Sequence, residues 1–176
     1  MKPILSLYLR LFLFMGIPFG LITLLIDVIS GEGFVLRTFL FRVLFFGGSM
    51  AATLGTLHVL KLRFQGVQEF TPGNLSVRQR RIVKSKVSLQ NLIDLIKEDP
   101  DMGNIKVLEK NNAIVLQTSS SWRSGGEKIF ITINSDKDSI NEYEILSRPR
   151  INTTLVDAGK NFENVTRIEK LLKTVD

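Results

Sequence analysis

From Leu11 to Ile29 the chain is almost unbroken apolar, with only Thr23 and Asp27 polar. At about 1.5 Å of rise per residue this length matches a bilayer core of about 30 Å. A second run, Phe39 to Leu60, has the same character, with Arg42 and His58 near its two ends. The connection, which holds Gly31 and Gly33, is short enough to make the runs antiparallel neighbours. The pattern predicts a two-helix transmembrane hairpin in residues 1–64, with spans over about 11–29 and 39–60. A cleaved signal peptide has a shorter apolar core and a small-x-small cleavage site, and neither is found here. A buried soluble hairpin would need polar faces that Leu11–Ile26 does not supply.

Residues 65–77 hold Gly66, Pro72, Gly73 and Asn74 and read as a linker. Beyond it the apolar pattern changes period. Residues 78–86 alternate basic residues with Ile82 and Val83, as an edge strand does, and Ser88 is placed to cap a helix carrying Leu89, Leu92, Ile93 and Ile96 on one face. Short runs at 105–109, 113–119, 128–134 and 142–147 follow, each rich in β-branched or aromatic residues and bounded by turn residues, which predicts an antiparallel meander. Phe162, Val165, Ile168, Leu171 and Leu172 then recur at helical spacing. The expected fold class is α+β: the hairpin, then a small antiparallel-sheet domain of order β-α-β-β-β-β-α over 78–176, its helices covering one face.

Composition sharpens the division. The first 65 residues carry six basic and two acidic groups, and the remaining residues 17 and 15, so the second part is close to neutral although the 176-residue chain is +6. That weak excess argues against a nucleic-acid partner. Lys2, Arg10, Lys61 and Arg63 flank the outer ends of the spans against Arg37 and Arg42 at the connection, which places both termini in the cytoplasm. The lack of cysteine agrees with a reducing compartment.

Inside the spans, Gly16 and Gly20 lie four apart, and Gly47, Ala51 and Gly55 repeat at the same interval, with Gly48, Ala52 and Thr56 beside them. Such stripes let helices approach closely where lipid supplies no hydrophobic drive. They join the hairpin to itself or receive a helix of another membrane protein or of a second copy of the chain. Pro18 removes one backbone hydrogen bond of the first span. Asp27 and Arg42, both near the connection, either pair or reach separately to the headgroups. His58 is expected at the interface and not on a metal, because no second His and no Cys completes a set.

Ser147-Arg148-Pro149-Arg150, then Asp157-x-Gly159-x-Asn161, then Arg167-Ile168-Glu169 close the chain. This succession resembles the end of a widespread bacterial family of unknown function. In that family a last strand ending Ser-Arg-x-Arg leads to a helix opening Asp-x-Gly-x-Asn and continuing Arg-Ile-Glu. The link 151–156 is longer than in that family. The resemblance implies a bacterial protein and brings no known activity. More loosely, the element order is similar to that of the helix-grip domains that hold apolar ligands, a likeness of fold alone. On physical grounds Asp157, Gly159 and Asn161 suit a helix start, and Arg148 or Arg150 is placed to pair with Asp157 or Glu163.

One stretch suggests ligand chemistry. Ser121, Trp122, Arg123, Gly125 and Gly126 could form a nest for a phosphate or lipid headgroup, or simply a hairpin with a bulge. Trp122 also suits a membrane interface. No Gly-Lys-Ser/Thr ending follows, so this is no nucleotide loop. Ser-Lys chemistry through residues 119–124 and Lys128 is the one formal route to catalysis. No catalytic residue, metal or cofactor is expected. The chain reads as a two-pass inner-membrane protein whose cytoplasmic domain is an interaction or accessory module, its partners membrane lipids and another membrane protein or a second copy. The alternative is a membrane-tethered binder of lipid or a small apolar ligand, held between sheet and last helix.

Overall fold

The computed structural model describes residues 2–102, 105–110, 113–120, 124–137 and 140–174. The chain divides into two compact units, Met1–Leu75 and Ser76–Asp176.

The first unit is built on α1 (Pro3–Ile29) and α2 (Leu36–Phe64). Both outrun their apolar cores, because Pro3 is tolerated in a first turn and α2 ends in basic residues that suit a helix C-terminus. α1 runs through Pro18. The two helices meet along a seam of Leu7, Leu11, Gly16 and Gly20 on one side and Val43, Gly47, Ala51 and Gly55 on the other, all buried. The most apolar stretches of α1 and α2 are only 11% and 28% buried, and both helices are long and apolar enough to cross a membrane.

Residues 65–75 are not a free linker. Val67 and Leu75 are buried in this unit, and Thr71 and Asn74 close a turn in which the Thr71 amide donates to Asn74 Oδ1 at 2.8 Å and the Asn74 amide to Thr71 Oγ1 at 3.3 Å. His58 is likewise buried, with Nε2 3.2 Å from the Leu75 carbonyl. The domain boundary therefore falls after Leu75. The Val67 amide donates to the Leu62 carbonyl at 3.1 Å, which ties the segment to the end of α2.

The second unit follows the expected order: β1 (Gln79–Ser85), α3 (Leu89–Glu98), β2 (Lys106–Lys110), β3 (Ala113–Gln117), β4 (Glu127–Lys137), β5 (Ile140–Pro149) and α4 (Lys160–Lys173). The sheet order is β1-β5-β4-β3-β2, with every neighbouring pair antiparallel. β4 and β5 run on beyond the expected strand ends to a tighter hairpin, with a register shift between Ile133 and Ser135. Ser88 caps α3, its Oγ accepting from the Asn91 amide at 3.2 Å. Alternation puts Val83, Ile114, Leu116, Ile129, Ile131, Tyr143 and Ile145 on one face, where they pack with Leu92, Ile93 and Ile96 of α3 and Val165, Ile168 and Leu172 of α4. Two buried donors tie the layers together: Tyr143 Oη donates to the Val87 carbonyl at 2.6 Å and Ser85 Oγ to the Leu172 carbonyl at 2.6 Å.

Candidate functional site

Three groups of residues stood out in the sequence, and the structure gives each a different role. The small residues of the hairpin form its internal seam. A Cβ added at Gly16 would lie 2.9 Å from the Val43 carbonyl oxygen, and one at Gly47 would lie 2.9 Å from Gly16 Cα. At Gly20 it would meet Val43 Cγ2 at 2.3 Å, and at Gly55 the Tyr8 ring at 3.1 Å. Gly16, Gly20, Gly47, Ala51 and Gly55 therefore join the hairpin to itself. At the connection end, Arg42 Nη1 donates to Asp27 Oδ2 at 2.5 Å, so the two charges pair within the hairpin.

The closing motif builds a polar joint between β5 and α4. Asp157 Oδ2 accepts from the Asn161 amide at 2.8 Å and from Asn161 Nδ2 at 2.6 Å, while Oδ1 accepts from the Gly159 amide at 3.1 Å. Gly159 has φ of +71°, a backbone conformation that favours glycine. Ser147 Oγ donates to Asn161 Oδ1 at 2.6 Å and accepts from Asn164 Nδ2 at 3.3 Å. Ser147, Asp157, Asn161 and Asn164 are all buried. Among the described residues, neither Arg148 nor Arg150 pairs with Asp157 or Glu163 as expected. Ser147 faces inward, so its neighbour Arg148 faces outward, where its guanidinium lies 5.0 Å from the centre of the Phe130 ring. Glu163 instead accepts from Lys160 at 2.8 Å.

Asp157→Ala should therefore lower the stability of the sheet unit by about 2 kcal/mol, since three orphaned donors at the start of α4 lose their acceptor inside the protein. Thermal unfolding of the full chain in detergent, followed by hydrogen exchange of the α4 amides, reads it. An unchanged midpoint would mean the cap does not hold the helix.

The hydroxyl- and glycine-rich stretch joins β3 to β4. Ser121, Trp122 and Arg123 lie outside the described residues. Around them, the Thr118 amide donates to the Glu127 carbonyl at 3.1 Å, the Arg150 amide to the Gly126 carbonyl at 2.9 Å, and Ser120 Oγ to the Gly125 carbonyl at 3.1 Å. Gly126 has φ of +88°, and a Cβ there would lie 2.9 Å from the Thr118 carbonyl oxygen. This position requires glycine for the backbone to turn back against β3.

A polar cavity of about 410 Å³ opens at this end of the sheet, lined by Gln117, Ser120, Gly125, Lys128, Arg150 and Ile151. Sequence reasoning found Gly125 here and gave Lys128 and Arg150 other roles. The signal for Lys128 was the hairpin register, which places it directly across from Gln117. Arg150 arrives only through the hydrogen bond of its amide to Gly126, which spacing along the chain does not reveal. Neither cation is ion-paired among the described residues. The nearest acid in sequence, Glu127, is 1% exposed and held by Thr118, whose Oγ donates to Oε2 at 2.5 Å. Strand alternation puts it on the core face, away from Lys128.

Among the described residues no three His, Cys, Asp or Glu side chains come together to hold a metal. The space the sequence assigned to an apolar ligand, between sheet and α4, is filled by Val165, Ile168 and Leu172 against Ile129, Ile145 and Tyr143, all 0% exposed. No protein-family model, curated protein or solved structure matches the chain.

Proposed function

We propose that the protein is a two-pass protein of a bacterial inner membrane, whose hairpin anchors a cytoplasmic α+β domain acting as an interaction or accessory module without catalysis of its own. The observation that carries this reading is the outward surface of the hairpin. Large apolar side chains such as Leu21, Ile22, Leu25, Phe41, Leu44 and Phe45 are exposed on helices of membrane-spanning length. The Asp27–Arg42 pair supports it, because two charges at that depth cost least when they neutralise each other. The distribution of basic residues favours cytoplasmic termini. The single histidine contacts the Leu75 carbonyl, and the Ser120 hydroxyl donates a hydrogen bond to the Gly125 carbonyl, so these two groups are engaged in structure.

Since the chain has no cysteine, single introduced cysteines report topology cleanly. Glu32→Cys, in the connection, should react with a membrane-impermeant maleimide on intact cells, and Lys170→Cys, on α4, only after lysis. The reverse pattern would overturn the orientation, and extraction of the protein by alkaline carbonate would overturn the anchor. Native mass spectrometry of the full chain in patches of its own membrane should retain a stoichiometric protein partner or second copy. Emergence as a bare monomer would count against the module.

A further inference from the structure

The polar cavity at the end of β3, β4 and β5 carries two cations that no carboxylate balances among the described residues. Lys128 and Arg150 line the same 410 Å³ space, and neither meets a carboxylate among the described residues. Some cations of this domain do have an acid close by: Arg80 meets Glu144 at 2.6 Å, Lys160 meets Glu163 at 2.8 Å, and Arg167 forks onto Asp99. At the cavity the one neighbouring acid, Glu127, is turned to the other face and hydrogen-bonded to Thr118.

The surroundings add to the charge. The register aligns Lys106, Gln117, Lys128 and Arg148 in one row across β2, β3, β4 and β5. This row lies on the sheet face opposite the helices, since the alternate residues Leu116, Ile129 and Ser147 are the buried ones. Three of its four members are cations, and the cavity opens at its centre. Gln117 brings an uncharged amide donor, Ser120 ties the loop by its bond to the Gly125 carbonyl, and Ile151 gives an apolar wall whose Cδ1 would lie 3.0 Å from a Cβ at Gly125. A guanidinium, an ammonium and an amide on one concave surface suit an oxyanion with several acceptor oxygens, because together they offer more donors than one carboxylate can use.

We propose that this cavity is a binding site for a phosphate group, carried either by a free phosphate or phosphate ester in solution or by an anionic lipid headgroup. Lys128 and Arg150 neutralise the charge, Gln117 fixes its orientation, and Ile151 covers the carbon side of an ester. The lipid source rests on the membrane-anchor reading above, whereas the free-phosphate source does not, so the two readings fail separately.

The test uses the full chain in dodecyl maltoside, which contains no phosphate. In one arm, radiolabelled inorganic phosphate is brought to equilibrium across a dialysis membrane at constant ionic strength. In the other, phosphatidylglycerol is added to the micelles and native mass spectrometry counts the lipids retained. Lys128→Gln with Arg150→Gln should weaken binding by about tenfold or more in whichever arm the wild type binds, as expected for losing charge-assisted hydrogen bonds. Lys170→Gln, on the exposed side of α4, should leave binding unchanged. Both altered side chains of the double variant are at least partly exposed, so its melting temperature should match wild type. Phosphate retained in dialysis and lost in the double variant identifies a soluble ligand; one lipid lost in the double variant identifies a headgroup. No saturable binding in either arm, or binding that the double variant keeps, overturns the proposal.

Discussion

Replacing Gly47 with leucine should destabilise the hairpin by about 3 kcal/mol, whereas the same change at its neighbour Gly48 should have almost no effect. The two glycines are chemically identical and adjacent, so composition and hydropathy cannot separate them. The packing can. A Cβ at Gly47 would lie 2.9 Å from Gly16 Cα and 3.0 Å from the Phe12 carbonyl oxygen, and both of those are backbone atoms that cannot rotate aside. Leucine there must push α1 and α2 apart along the whole seam, which also loosens the contacts around Ala51 and Gly20. A Cβ at Gly48 meets nothing within 4 Å. Unfolding of the full chain by increasing dodecyl sulfate in mixed micelles measures both variants against wild type. Equal shifts for the two would mean that the seam does not run through Gly47.

That contrast marks what the sequence makes legible. The stripe Gly47, Ala51, Gly55 was visible because small residues at four-residue spacing have few other uses on an apolar helix. Its partner was open, and only the approach of Gly16 to Gly47 settles that the hairpin fills its own groove. The strand order was legible for a similar reason. Each strand alternates against a buried face, and a one-residue slip would turn Lys128 onto the core face, opposite Ser147 in place of Ile129. The cap at Ser88 was a local signal and needed no tertiary information.

What stayed hidden depends on contacts between residues far apart in the chain. Residues 65–75 look like a linker because Pro72, Gly73 and Asn74 form a turn, yet the flanking Val67 and Leu75 are held by α2 through burial and the His58 contact. Arg148 and Arg150 looked interchangeable as partners for Asp157. Alternation sends Arg148 to the outer face, and the amide of Arg150 bonds to Gly126 at the loop, so the joint is made instead by the uncharged Ser147, Asn161 and Asn164. At that joint Asp157, Gly159 and Asn161 start the helix, while among the described residues the two arginines take no part in it.

The Arg-Ile-Glu part of the closing motif has the same structural character, and it carries the second large effect. Ile168 is fully buried in the core, and Glu169 meets Lys173 at 2.6 Å. Arg167 clamps the turn after α3 onto α4: its Nε donates to Asp99 Oδ2 at 2.8 Å, Nη2 lies 2.7 Å from Asp99 Oδ1, and Nη1 donates to Asp101. The Asp99 side chain is only 9% exposed. Burial by itself would raise its pKa, but the Arg167 hydrogen bond, the backbone amides of Asp101 and Met102 and the guanidinium charge together outweigh that and hold it below the usual carboxylate value. Arg167→Met should therefore cost about 2–3 kcal/mol near neutral pH, because a largely covered carboxylate loses its bidentate partner. Arg167→Lys should recover only part of this, since an ammonium cannot make the paired fork.

The pH dependence gives the decisive check. A carboxylate whose pKa is lowered on folding stabilises the fold above its unfolded value, about pH 4, and that contribution disappears as pH falls through the lower folded value. The gap between wild type and Arg167→Met should thus be full at neutral pH and shrink progressively below about pH 4. Arg167 itself is raised above its ordinary value, by the Asp99 hydrogen bond first, so its protonation changes only in strongly alkaline solution and adds nothing to this window. Thermal unfolding of both proteins in dodecyl maltoside across the acid range measures the gap. A gap that is constant with pH would show that Arg167 acts through packing of its stem, and a gap that widens in acid would contradict the ion pair altogether.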